Sequence, residues 1–408
     1  MPTTPRPVDA PPADAAAAPR ELRRVLVALC VTEITSWGIV YYALPVLAPA
    51  VSRDMSWSTG TVMVAFSCGL VVSALAGVAV GRLLDRYGPR RVMTSGSVLG
   101  VVAVVGIALS PNLPAFFAAW AFAGIAQACL LYPPAFAALT RWYGPHRVRA
   151  LTILSLAGGL ASTVFAPLTA VLSDHFGWRG AYLVLAAVLA VVTVPAHALF
   201  LTPAWPAEHV ARHDPGAMAH VRGVLRTRAF WCILAAMTVA SFGMYGATVD
   251  LVPVSVDRGA STGLAAVILG LCGAGQVLGR LGYTTLHRAM SAQWRTAVVL
   301  AVGAVMIGLL AVVPLPALVV AAVCAGAARG TSTLLQATAV SDRWGTAHFG
   351  TLNGAFTAPI TVAIAVAPAG CALLAERLGG YPYALGVLAL LVLAGAVAAI
   401  GSGVSRSR

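Results

Sequence analysis

The sequence predicts an all-α membrane protein with twelve transmembrane helices in two six-helix bundles. Three observations carry that prediction: the composition, the length of the apolar stretches, and a repeat relating the two halves. Apolar residues fill 59% of the 408 positions and charged residues only 10%, with a mean hydropathy of +0.87. A water-soluble chain of this composition could not cover its own surface. Crossing a hydrocarbon core about 30 Å thick takes roughly 20 apolar residues as a helix, because in lipid each backbone group must be satisfied within its own segment.

Twelve stretches qualify in order: 25–50, 58–81, 92–110, 114–140, 147–172, 179–201, 229–254, 262–284, 295–313, 316–340, 348–374 and 381–402. Residues 1–24, rich in Pro and Ala, lack the apolar core and cleavage site of a signal peptide and read as a disordered cytoplasmic tail. The first span then doubles as the insertion signal and opens an N-terminal bundle, 25–202. Ser58, after Trp57, opens the second span. A soluble stretch at 203–228, carrying Glu208, His209, Arg212, His213, Asp214 and Arg222, is the expected cytoplasmic linker; the C-terminal bundle follows at 229–402 and a short tail at 403–408. Pro and Gly inside many spans are tolerated because neighbouring helices re-satisfy the backbone.

The repeat supports the six-plus-six division. LTAVLSDHFGWRGAY (168–182) and AGCALLAERLGGYPYA (369–384) align at an offset of roughly 200 residues, pairing Pro167 with Pro368, Asp174 with Glu376 and Gly177 with Gly379; Ser58 pairs similarly with Ser261.

The net charge of +13 comes entirely from arginine, since lysine is absent. Most arginines fall in the segments an even number of spans places inside, among them Arg20, Arg82, Arg141, Arg222 and Arg288, whereas the outer loops hold Arg53, Arg179, Arg258 and Arg377. The bias is a topology signal that puts both termini in the cytoplasm. With no basic and aromatic stripe on a soluble domain, nucleic acid is not an expected partner. The seven cysteines all lie in apolar spans and read as small hydrophobes. No phosphate-binding glycine loop, zinc spacing or nucleophile elbow occurs, so the sequence points to no enzyme activity, no cofactor and no metal.

Between the second and third spans lies the charged loop GRLLDRYGPRR (81–91). It resembles the signature of the major facilitator superfamily, G-x-x-x-D-R-x-G-x-R-R. That resemblance implies a transporter whose substrate site lies between two rocking bundles. In such a scheme Asp85 latches to a neighbouring helix while Arg86, Arg90 and Arg91 anchor the inner surface, and Gly81 and Gly88 permit close approach and a tight turn. The bland alternative is that the arginines only obey the positive-inside rule. The matching loop GYTTLHR (282–288) keeps only Gly282 and Arg288.

Ionisable side chains inside a bilayer cost several kcal/mol unless they face a cavity or a partner. Glu33, Asp250, Arg280 and Arg329 are the candidates. Glu33 shares a helix face with Trp37 and Tyr41, and reads either as a proton carrier or as a structural partner of an arginine. Arg329 lies deep in span ten and either lines or braces a cavity. Arg280 is placed for the pore or for snorkelling to the inner interface. Asp250 is a second proton-coupling candidate or a cap on the outer vestibule. Tyr41, Gln127, Tyr132, Tyr245 and Asn353 are polar or aromatic groups able to complete a pocket, with Trp37 beside them.

A finer resemblance narrows the choice. EITSWG (33–38) and the stretch 141–182, ending in Gly-Trp-Arg, are similar to elements of monocarboxylate transporters; QVLGR (276–280) is similar to that family's Asp-x-x-x-Arg, with Gln276 at the acidic position and Arg280 matching. The resemblance implies Arg280 as the residue binding a substrate carboxylate, bidentately; Arg329 is the candidate to hold it alongside Arg280, and proton coupling falls to Glu33 or Asp250, or else transport runs without protons. The expected partners are a small organic anion, protons and a lipid bilayer, for a monomer in a bacterial inner membrane. Proton-coupled efflux of drugs or other hydrophobic solutes is the alternative, and a non-transporting receptor a remote one.

Overall fold

The structure, a computed structural model, describes residues 19–144, 147–205, 221–344 and 349–403. All described regular structure is helical. The crossings are α1 (Arg20–Met55), α2 and α3 (59–87 and 89–108), α4 (Leu113–Tyr143), α5 and α6 (147–176 and 178–200), α7 (228–257), α8 (Thr262–Ala289), α9 (Ala292–Val312), α10 (Leu315–Thr338), α11 (Phe349–Leu378) and α12 (Tyr381–Ile400). The apolar stretch Arg149–Phe200 is 52 residues long. That would make a rod of about 78 Å, far beyond one crossing. Gly177, at φ 67°, breaks it into α5 and α6, and Gly88, at φ 77°, does the same between α2 and α3. Both positions need the left-handed freedom of glycine. Gly379, the repeat partner of Gly177, has φ 83°.

Helix starts follow the capping residues. The Ser58 Oγ accepts from the Thr61 N–H at 3.0 Å, Asn112 Oδ1 from Ala115 at 3.0 Å, and Ser261 Oγ from Leu264 at 3.2 Å. The first helix begins at Pro19, inside the expected tail; residues 1–18, linker residues 206–220 and tail residues 404–408 lie outside the described residues.

Two seams of small residues set how closely helices approach. In the first half, Gly124 of α4 lies against the Gly69 carbonyl of α2. In the second, Gly275 and Gly279 of α8 meet the carbonyls of Val323 and Ala327 of α10, while Gly326 and Gly330 of α10 meet those of Cys272 and Gln276. In lipid, where apolar burial does not separate helix from tail, such backbone approach supplies the packing.

Hydrogen bonds between the bundles cluster toward the face remote from the chain termini. Gly60 N–H donates to Glu376 Oε1 at 2.8 Å and Ala369 N–H to Ser67 Oγ at 3.1 Å, joining α2 to α11. Thr163 Oγ1 donates to the Gly270 carbonyl at 2.8 Å, joining α5 to α8. At that same far face Arg179 caps α3 through the carbonyls of Ala108 (2.6 Å) and Ser110 (3.0 Å), and Arg258 caps α9 through those of Ala311 (2.9 Å) and Val313 (3.0 Å).

Candidate functional site

Four interrupted helices meet in the interior. In α1 a π-helical turn, Gly38–Tyr42, precedes Pro45. Proline has no N–H to return to the Tyr41 carbonyl, so the turn widens; the nearby Val40 carbonyl accepts from Gln127 Nε2 of α4 at 2.7 Å. In α4, Pro133 and Pro134 withdraw two donors and Leu131 is extended, ending one helix at Leu130 and starting the next at Tyr132. In α5 the Gly158–Gly159 pair precedes a break at Leu160. In α7, Pro253 accompanies a break at Asp250, ψ 11°.

Two buried arginines, on the unbroken helices α8 and α10, lie against these breaks. Arg280 of α8, 9% exposed, donates through Nη1 to the Ser155 carbonyl of α5, and the Tyr132 hydroxyl donates to the same carbonyl at 3.3 Å. A Cβ on Gly158 would collide with the Tyr132 hydroxyl and one on Gly159 would lie 2.8 Å from the Arg280 guanidinium, so the glycine pair is the notch that admits both. The snorkelling alternative for Arg280 is thereby replaced by an inward, cross-bundle position. Tyr132 stands 5.1 Å from Trp37, ring centre to ring centre, and Trp37 stands 5.1 Å from Tyr41.

Arg329 of α10, 4% exposed, lies 3.9 Å over the ring of Tyr245 and donates through Nη1 to Thr248 Oγ1 at 2.7 Å. Among the described residues no carboxylate pairs with Arg280 or Arg329 within 4.0 Å. The Nε atoms of both are buried without a partner, as is the Tyr41 hydroxyl.

Glu33 and Asp250 are fully buried; the nearest donors are the Trp37 indole for Glu33 and the Cys371 thiol for Asp250, and no carboxyl oxygen of either meets a donor in full hydrogen-bond geometry. Glu33 sits one turn before Trp37, on the side of the site that holds Tyr132 and Arg280. Asp250 lies against the Cys371 thiol of α11, with Tyr381 beyond. The described geometry therefore pairs neither acid with an arginine.

Other expectations are placed differently. Gln127 braces the widened turn of α1 rather than a pocket. Gln276 is buried one turn before Arg280, with its carbonyl against Gly330. The side chains of Asp85 and Asn353 lie outside what the structure describes. Gly88 makes the tight turn and packs on Trp205, but open space surrounds Gly81, so close approach is not its role. Arg86, Arg90 and Arg91 are exposed.

Sequence reasoning missed the roles of Ser155, Thr248 and Glu376, which depend on partners remote in the chain. It also missed Asp342, which pairs with Arg295 and approaches His287 Nδ1 at 3.9 Å on the face holding the termini. Beside it Arg343 bonds Thr296 Oγ1 (3.0 Å) and Ser402 Oγ (2.9 Å), and burial lowers its guanidinium to about 10. A salt bridge thus stands in the second half, whose loop lacks the full charged motif.

Comparisons with known proteins agree with this architecture. The family model described as Major Facilitator Superfamily matches residues 29–368. The chain is 28% identical over 242 residues to mouse monocarboxylate transporter 11, covering 59% of this chain and 52% of that protein. It is 24% identical over 250 residues to the fujikurins efflux protein of Gibberella fujikuroi, covering 59% and 50%. These matches span about half the length of the curated relatives. A bacterial homologue of the human lysosomal transporter Spinster, solved inward-facing and occupied, superposes with a TM-score of 0.73 at 14% identity, covering 94% of this chain and 97% of that one; this likeness concerns the fold.

Proposed function

This chain belongs to the Major Facilitator Superfamily, and from that premise we propose that it is a secondary active transporter carrying a small organic anion, of the monocarboxylate class or related to it, in symport with protons. The observation that carries the reading is Arg280: a buried guanidinium with no counter-ion among the described residues, reaching from one bundle to the Ser155 carbonyl of the other. A guanidinium is charged at every physiological pH and is under-compensated by a carbonyl, so a carboxylate is the ligand that completes it. Tyr132 and Trp37 would flank the bound anion. Glu33, on the same side, is the proton-carrying group, since a carboxyl with no partner in the membrane interior is cheap when neutral and costly when charged. Similarity to a mammalian monocarboxylate transporter supports this substrate class. The arginine bias along the chain supports an orientation with both termini in the cytoplasm, and a bacterial inner membrane is the proposed location.

The efflux reading draws on the aromatic run Trp37, Tyr41 and Tyr132 and on similarity to a fungal efflux protein. Uptake of labelled lactate, pyruvate, formate, oxalate and a lipophilic cation into proteoliposomes, with and without an inward proton gradient, separates the two. Gradient-stimulated carboxylate uptake, abolished by Arg280→Ala, is the expected result. Transport of the cation alone, or carboxylate uptake indifferent to Arg280, would move efflux to first place.

A further inference from the structure

Arg280 is not the only buried cation on the inter-bundle face. The helices α8 and α10 run in the same direction through the membrane, and their glycine contacts fix how they are registered. Val323 and Ala327 meet Gly275 and Gly279 at an offset of 48 residues, and Gly326 and Gly330 meet Cys272 and Gln276 at an offset of 54. The level of a residue in α8 therefore corresponds to a position about 51 residues later in α10. Arg280 is level with 331, and Arg329 lies two residues from that level, about 3 Å along the axis at 1.5 Å per residue.

The same seam fixes the directions of the two side chains. Arg280 follows Gly279 by one residue and Arg329 precedes Gly330 by one, so turns of about 100° in opposite senses carry both off the seam on the same flank. At Arg280 that flank meets Ser155 of α5, and at Arg329 it meets Tyr245 and Thr248 beside the break in α7. Glycine at the contact holds the two axes at the short end of the usual range, roughly 8 Å. Each guanidinium keeps a buried, unpartnered Nε, and neither has a counter-ion among the described residues.

We propose that Arg280 and Arg329 form a two-cation cradle, and that the preferred substrate of this site is a small dicarboxylate with one carboxylate on each guanidinium. The proposal rests on the reading of Arg280 as an anion site. Two permanent charges removed from water call for two negative charges. A monocarboxylate neutralises one and leaves the other dry and unpaired, whereas a dianion compensates both. Thr248 and Tyr245 hold Arg329 in place by one hydrogen bond and one stacked face, leaving its Nε edge for a ligand. The competing account makes Arg329 a brace for Tyr245 with no ligand of its own.

Affinities of oxalate, malonate and succinate, and of acetate, propionate and butyrate, would be measured by calorimetry on the purified full chain, for wild type, Arg329→Gln and Arg329→Lys. The wild type is expected to favour dicarboxylates over monocarboxylates. Removing one partner of a buried charge pair should lower dicarboxylate affinity by about 30-fold or more in Arg329→Gln, with monocarboxylate affinity changing less than about threefold; Arg329→Lys, which keeps the charge but not the fork, should fall between. If Arg329→Gln does not fold, Arg329→Lys carries the same comparison. No dicarboxylate preference in the wild type, or an equal loss for both classes on substitution, overturns the cradle while leaving Arg280 as an anion site. Binding of neither class overturns both readings together.

Discussion

The carboxylate of Glu376, at the end of α11, accepts a hydrogen bond from the Gly60 backbone N–H in the first turn of α2 at 2.8 Å, so a residue of one bundle caps a helix of the other. A carboxylate on a helix N-terminus gains both a charge-assisted bond and the favourable end of the helix dipole. Glu376→Ala should raise hydrogen exchange at Gly60 by about tenfold, the loss expected for a bond to a charged group. Unchanged exchange there, measured by mass spectrometry on the detergent-solubilised protein, would remove Glu376 from the far-face closure.

The α8–α10 seam predicts a contrast between two glycines. Gly330→Ala places a Cβ against the Gln276 carbonyl, which is backbone and cannot swing aside, whereas a Cβ at Gly386 of α12 meets open space. The first substitution should destabilise the protein by about 1–3 kcal/mol, as overpacking does, and displace the arginines flanking the seam; the second should leave unfolding unaltered. Thermal unfolding in detergent compares them, and equal midpoints would refute the close contact.

At the far face, Arg179 and Arg258 each close the end of a helix by donating to its last carbonyls. The helix ends they serve, those of α3 and α9, occupy corresponding places in the two halves, although the arginines come from different connections. Replacing either with Gln should cost about 1–2 kcal/mol of stability, the range for hydrogen bonds to a charged donor less what a partly exposed site recovers from water. A loss confined to one of the two would show that only that cap is needed.

Proton coupling is open to a direct comparison of the two unpaired acids. Glu33→Gln, a neutral isostere, should abolish stimulation by an inward proton gradient while sparing exchange of labelled for unlabelled carboxylate. Asp250→Asn should leave gradient stimulation in place, because Asp250 lies against the Cys371 thiol of α11 whereas Glu33 lies beside Tyr132 and Arg280. The reverse pattern would transfer the proton to Asp250.

Gln127→Leu tests the widened turn in α1. It removes the donor to the Val40 carbonyl and leaves a buried acceptor unsatisfied, a cost of about 1–3 kcal/mol. Loss of stability without a change in substrate preference is expected; a changed preference with full stability would return Gln127 to the pocket.

Much of the fold was legible because bilayer thickness imposes it: a run of roughly 20 apolar residues has few alternatives to crossing. The positive φ of Gly88 and Gly177 follows equally from where a chain must turn sharply, and the turn and repeat motifs pointed to both. The acids and arginines were visible as misfits in apolar spans. Their arrangement was not, because it depends on pairings between residues far apart in sequence. By sequence Arg280 fits either the pore or the interface, and only Gly159 and Ser155, 121 and 125 residues earlier, fix it between the bundles. Gln127 looked like a pocket residue because nothing in its own neighbourhood announces that Pro45, on another helix, has loosened the turn it supports. Glu376 was noticed only as the counterpart of Asp174; its own task was hidden in the start of a helix more than three hundred residues away.

The Arg280 guanidinium that ties the α5–α8 edge through Nη1 is the same group that would receive an anion. Any ligand that draws it off the Ser155 carbonyl also releases a tie between the bundles. Occupancy and closure then compete for one group, and by reciprocity whatever strengthens the tie must weaken the ligand by the same factor. The cargo would thus act as the key to its own door, and a molecule too weakly charged to pull the guanidinium away would rest in the site without releasing it.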